Sequence, residues 1–235
     1  MTFAEAMRGA GVQSLAVFGD SITVGLNASA PEKAWPLQLA AATNIGVVRN
    51  RAVSGTILQG GMMADGLPRP DNGIGRYREA LLRPDRADAL AVLYGYNDAR
   101  YVGAPQSLNA EGFLRDYALM LEGLLAAGLK PDLIAIGSPP FPSERGLAVG
   151  SPGFAEQTRA GFERFVEAVK ALATEFSVNY APVYEAMSRY PDGALNSDDV
   201  THPNDAGHRI IADAFARAAV PSAGAAYRNW STRPG

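Results

Sequence analysis

Short unbroken apolar runs alternate along the chain with longer stretches in which apolar residues recur every three or four positions. The runs at residues 15–18 (Leu15-Ala16-Val17-Phe18), 89–94 and 133–136 read as buried strands, with weaker candidates at 46–48 and 178–183. The periodic stretches at 35–43, 72–82, 109–127, 156–176 and 205–218 read as amphipathic helices. In 109–127, Phe113, Leu114, Tyr117, Leu121, Leu124 and Leu125 share one face, and Gly128 followed by Pro131 supplies the stop. Phe162, Phe165, Val166, Val169 and Leu172 form the stripe of 156–176, and Ile211, Ala214, Phe215 and Ala218 that of 205–218. Strands that are apolar throughout belong to a parallel sheet covered on both faces. The repeated β-α order with right-handed crossovers predicts an α/β fold, a three-layer α/β/α sandwich around a roughly five-stranded parallel sheet with flavodoxin-like winding.

Length and punctuation refine this. The 235 residues suit one domain, with its core at about 14–218 and a patternless tail at 222–235 whose Trp230 either docks on the body or contacts a partner. Three long loops are expected, at 51–71, 95–108 and 137–154, and loops of that length are usually functional. Glycines 146 and 150 give the third the freedom of a lid. Charge narrows the partners: a net charge of −3 without any dense Lys/Arg cluster speaks against nucleic acid and anionic membrane. The chain has no cysteine, so disulfides, thiolate catalysis and cysteine-ligated zinc are excluded. Only two histidines are present, too few for a His-rich metal site. The first residues lack a basic segment followed by an apolar one, and no apolar run approaches the ~20 residues of a membrane span, so a cytoplasmic chain without a spanning segment is expected.

The chemistry sits where apolar runs break. Gly19-Asp20-Ser21 follows the first predicted strand directly, on the sheet edge where open α/β folds bind their ligands. A serine there is a nucleophile only with a base beside it. Ser54-Gly55 lies in the loop after the second strand, and Gly95-Tyr96-Asn97-Asp98 follows the third. Asp199-Val200-Thr201-His202-Pro203-Asn204 precedes the last helix. The G-x-S-x-G elbow of α/β-hydrolases is absent, as are a G-x-G-x-x-G loop and a P-loop lysine, which disfavours a nucleotide-binding domain.

These four blocks, in this order, resemble the SGNH hydrolases, also called the GDSL family of esterases and lipases, over residues 14 to about 218. The resemblance implies Ser21 as nucleophile, His202 as base and Asp199 as its orienting acid. It implies an oxyanion hole of the Ser21 and Gly55 backbone N–H groups and the Asn97 amide. These roles suit the residue types: a serine hydroxyl needs a base, and Asn97 donates without titrating. The implied enzyme is a serine esterase with an acyl-enzyme intermediate, requiring neither cofactor nor metal. Two departures stand out. Tyr96 replaces a residue that is often small and either walls the substrate pocket or packs into the core. Ser21-Ile22-Thr23 stands where lipase-like members often have Ser-Leu-Ser, and resembles the small esterases and carbohydrate esterases of the family.

The expected substrate is therefore a short acyl ester, such as an O-acetyl group on carbohydrate. Acyl transfer, lysophospholipase or thioesterase action, and a non-catalytic binding protein on the same fold are the alternatives. Tyr101 and Phe141 join Tyr96 as candidate pocket residues, and Arg100 is a further candidate contact. Asp20 is expected to bond backbone N–H groups at its turn, and Asp98 to support its loop. His208, the competing base, falls inside the last helix, with Asp205 in its first turn. Trp35, at the start of a helix, reads as core rather than cleft.

Overall fold

The computed structural model describes residues 1–61, 71–102, 108–149 and 157–222. Five strands form one parallel sheet: β1 (Ser14–Gly19), β2 (Val47–Asn50), β3 (Ala89–Leu93), β4 (Ile134–Gly137) and β5 (Asn179–Ala181). Their order is β2-β1-β3-β4-β5. Every residue of β1, β3, β4 and β5 is buried, which is why the first three read as apolar runs; β5, only three residues long and opening on Asn179, gave a weak signal. β2 is an edge strand with a partly exposed surface and admits Arg49 and Asn50, so its signal is weak. The outer edge of β5 is covered by a single antiparallel bridge, in which Tyr180 and Ala219 exchange both backbone bonds.

Ten helices accompany the sheet among the described residues: α1 (Phe3–Gly9), α2 (Ser21–Val24), α3 (Trp35–Thr43), α4 (Gly73–Leu81), α5 (Tyr96–Arg100), α6 (Ala110–Ala126), α7 (Glu144–Val149), α8 (Arg159–Glu175), α9 (Val183–Met187) and α10 (Asp205–Ala216). They pack as two groups, with α1, α9 and α3 against α10, and α4 and α8 against α6. Trp35 is wholly buried and stacks on Phe215 with ring centroids 4.7 Å apart, tying α3 to α10. Phe113 of α6 meets Phe165 of α8 at 5.3 Å on the other side. The expected stripes of α6, α8 and α10 face inward, with Leu114 and Leu125 at the margin of the core.

The longer helices match their predicted spans within three residues. The short ones were not predicted. α1 carries a capping box, Thr2 with Glu5, and buries Phe3 and Met7. α5 and α7 lie inside segments expected to be loops. Gly146, expected to free a lid, is a helical residue of α7. A Cβ there would come within 2.9 Å of Val200 O, so its lack of a side chain serves close packing instead. Gly150, the tail at 223–235 with Trp230, and parts of the three long loops lie outside the described residues.

The topology fixes where a ligand can sit. From β1 the chain crosses to β2 on one side, and from β3 it crosses to β4 on the other. Loops on the two sides of this switch point diverge and leave a crevice at the C-terminal ends of the strands. Ser21 follows β1, Gly55 lies beyond β2, and Asn97 follows β3, so all three are delivered to that edge.

Candidate active site

β1 ends at Gly19, where any side chain would collide: a Cβ would lie 2.4 Å from Leu93 O and 2.2 Å from Thr23 Oγ1. Asp20 then caps α2, its Oδ1 accepting the Ile22 N–H at 3.0 Å. Ser21 opens the helix, so its own N–H has no partner within it. Ile22 and Thr23 are buried, Thr23 against Gly19, so these two positions of the Ser-Ile-Thr block pack α2 against the sheet.

The segment before α10 folds on itself. Ser197 N–H donates to His202 O at 2.9 Å, and Asn204 N–H to Leu195 O at 3.0 Å. Asp199 Oδ1 accepts the backbone N–H groups of Thr201 (3.0 Å) and His202 (2.9 Å), and its Oδ2 meets His202 Nδ1 at 2.5 Å. The spacing of three residues lets one carboxylate hold both the backbone and the ring of the same histidine. Val200, between them, has φ +58°, a left-handed conformation rare for a β-branched residue and sustained by these bonds. Burial works to raise the pKa of Asp199. The bonds from the His202 backbone and ring, Thr201 N–H and Ser197 outweigh it and hold the carboxyl well below the usual range. An ionised carboxylate only accepts, so the Nδ1 atom carries the ring proton and Nε2 is left as an acceptor. That Nε2 lies 2.8 Å from Ser21 Oγ.

The other two blocks interlock. Gly55 has φ +77° with open space around it, so the conformation rather than crowding calls for glycine. Asn97 Nδ2 donates one hydrogen to Thr56 O at 3.0 Å, and the second has no partner among the described residues. Among the described residues, neither Ser21 N–H nor Gly55 N–H has a partner. Asp98, wholly buried, accepts the Leu58 and Gln59 N–H groups at 3.0 to 3.1 Å and so pins the loop carrying Gly55, the supporting part expected of it. Burial pushes its pKa up to about 6. Arg76 was not singled out in the sequence, because its contacts are distant in the chain. It donates to Arg51 O (2.6 Å), Gly19 O (3.2 Å) and Tyr94 OH (2.6 Å), joining the ends of β1, β2 and β3. Asn27, which bonds Asp199 from 172 residues away, was missed for the same reason; Ser197, two residues from Asp199, also bonds it and carried no motif of its own.

The remaining candidates lie outside the hydrogen-bonded triad itself. Tyr96 is 4% exposed and meets Phe162 edge-on at 5.6 Å; burial pushes its phenol up to about 12. Phe141 packs on Tyr184 at 5.1 Å with the Arg159 guanidinium 4.0 Å from its ring centre. Both belong to one aromatic cluster on α8 and α9, and the hydrogen bonds of the Ser21 site do not reach them. Tyr101 is half-buried at the end of α5, and Arg100 bonds Thr201 Oγ1 at 3.2 Å. His208 is wholly buried in α10, its Nε2 donating to Leu26 O at 3.0 Å. Burial lowers its pKa. Asp205 does not cap its own helix; Asn204 does, and Asp205 instead accepts from Ser29 N–H (2.8 Å) and Oγ (2.6 Å).

A protein-family model described as GDSL-like Lipase/Acylhydrolase family matches residues 17–210. No curated protein sequence matches the chain significantly. Among solved structures, the lipase/acylhydrolase from Enterococcus faecalis is similar with a TM-score of 0.65 and 19% identity, covering 87% of this chain and 94% of that one. TesA aligns with a TM-score of 0.61 and 18% identity over 86% of this chain and 95% of its own. The acetyl xylan esterase AlAXEase aligns with 0.62 and 16% over 86% and 96%. At these identities the likeness is one of fold.

Proposed function

This chain belongs to the GDSL-like lipase/acylhydrolase family, a family of carboxylic ester hydrolases, and we propose that it is a serine esterase with Ser21, His202 and Asp199 as its triad. The observation that carries this reading is the continuous chain from Ser21 Oγ through the His202 ring to Asp199, at 2.8 and 2.5 Å. Ser21 Oγ attacks the ester carbonyl carbon while His202 Nε2 takes the hydroxyl proton. Asp199 holds the tautomer and stabilises the imidazolium as it forms. The tetrahedral oxyanion is met by Ser21 N–H, Gly55 N–H and the second hydrogen of the Asn97 amide. Collapse breaks the ester C–O bond, and Nε2–H protonates the departing alkoxide. Water, deprotonated by the same Nε2, then attacks the acyl-enzyme and releases the acid with Ser21 restored.

For the substrate we favour a short acyl group on a hydrophilic alcohol, an O-acetylated carbohydrate being one such ester. Polar residues rim the site: Asn27 and Ser54 are exposed, and Arg100 and Thr201 are partly so. A sugar hydroxyl can exchange water for such groups, whereas a long alkyl chain cannot. No helix among the described residues is long and apolar enough to cross a membrane. The test is turnover of p-nitrophenyl acetate, butyrate and octanoate and of acetylated xylan, with Ser21→Ala beside the wild type. The expected result is activity highest on acetyl esters and absent in the variant. A preference rising with chain length would overturn the substrate reading, and undiminished turnover by Ser21→Ala the triad.

A further inference from the structure

Asn27 lies just past α2, in the stretch that follows the nucleophile, and its φ is +63°. A left-handed conformation at a non-glycine residue costs energy and persists where surrounding bonds over-determine it, although asparagine tolerates it better than most. Here both hydrogens of the side-chain amide are committed to the loop that carries the base. Nδ2 donates to Ser197 Oγ at 2.7 Å and to Asp199 Oδ2 at 2.8 Å. Oδ2 is the oxygen that accepts from His202 Nδ1. The other oxygen, Oδ1, is held entirely by its own loop, through Ser197 Oγ and the Thr201 and His202 N–H groups. Oδ2 therefore depends on Asn27 for its only bond in the described structure apart from the His202 ring.

Two further contacts tether the same stretch to the same region: Leu26 O accepts from His208 Nε2, and Ser29 bonds Asp205. These hold the backbone, while Asn27 touches the carboxylate itself. Resting on the triad reading above, we propose that Asn27 is a positioning residue for the esterase reaction. It fixes Asp199 Oδ2 against the His202 ring and thereby keeps Nε2 aimed at Ser21 Oγ. It reaches from the nucleophile's segment to the base's segment, 172 residues apart, and is the contact among these tethers that touches the carboxylate.

The experiment measures kcat and KM on p-nitrophenyl acetate, together with the low-field proton NMR resonance of His202 Nδ1–H, in Asn27→Gly and Asn27→Asp. Glycine keeps the left-handed backbone and removes the amide. Aspartate keeps the size and sets a second carboxylate against Asp199, so it serves as the test if the glycine variant folds poorly. By analogy with the outer partners that orient metal-bound histidines, worth about 10- to 100-fold, kcat is expected to fall about 10-fold or more in Asn27→Gly and further in Asn27→Asp, with KM within about twofold. The Nδ1–H resonance should move or broaden in both. Ser29→Ala, which weakens a tether without touching Asp199, should leave the resonance in place. An unchanged kcat, a fall in kcat with the resonance unmoved, or an equal displacement in Ser29→Ala would overturn the proposal. Activity surviving in Ser21→Ala would instead remove the triad reading on which it rests.

Discussion

Asp20 stands beside the proposed nucleophile with 2% of its surface exposed, and that burial has a measurable consequence. Burial pushes its carboxyl up from 3.8 to about 7, opposed by the Ile22 N–H and reinforced by the nearby Asp98 charge. The folded protein therefore holds this proton more tightly than the unfolded chain does. The resulting stabilisation is fully present below the unfolded value near 4 and is lost as pH rises through about 7. Each pH unit of difference is worth about 1.4 kcal/mol, so a rise from 3.8 to about 7 amounts to roughly 4 kcal/mol, of which roughly 3 is lost between pH 5 and 8. Asp20→Asn keeps the oxygen that accepts from Ile22 and resembles the protonated acid, but it does not titrate. Urea unfolding of both proteins at pH 5, 6, 7 and 8 reads the group together with its coupling to Asp98, the remaining titrations being shared. The variant is expected to gain roughly 3 kcal/mol on the wild type across that range. Parallel stability curves would refute the reasoning, because they would mean that Asp20 is already ionised in the folded protein at pH 5.

Asn97→Ala removes the side-chain oxyanion donor and should lower kcat by about 100- to 1,000-fold with little change in KM, read on p-nitrophenyl acetate. Gly55→Ala meets no atom within 4 Å, so its cost is conformational alone, about 1–2 kcal/mol for a side chain at positive φ. An unshifted melting temperature would show that the turn does not need that conformation. Phe215→Ala strips the stack on Trp35 and the packing of the ring over Gly137. The expected loss is about 3–5 kcal/mol in urea unfolding, without a change in KM for the variant that remains folded.

What was legible in the sequence follows from how local each determinant is. β1 and β3 bury both faces, so Leu15-Ala16-Val17-Phe18 and the run from Ala89 announced themselves. β2 has no buried residue and barely did so. α6 and α8 have 17 residues each and showed their period; α2, α5 and α9 have 4 or 5 and cannot show one. α1 was legible in principle, because Thr2 and Glu5 are spaced as a capping box. At the site, each block is a short motif, and Asp199 and His202 bond within one turn of chain. The parts that stayed hidden are long-range. Arg76 reaches Gly19 and Tyr94, and Asn27 reaches Asp199, through pairings that only the assembled sheet creates. Gly146 was ambiguous because a glycine signals either freedom or close approach, and here it lies in α7 close to Val200 O.

In the proposed mechanism Ser21, activated by His202, forms the covalent acyl-enzyme. Treatment with a fluorophosphonate followed by peptide mass spectrometry tests it directly, comparing the wild type with His202→Ala. A single adduct on Ser21 is expected, forming rapidly in the wild type and at least ~1,000-fold more slowly without the histidine. An adduct on another residue, or equal labelling of Ser21 in both proteins, would contradict it.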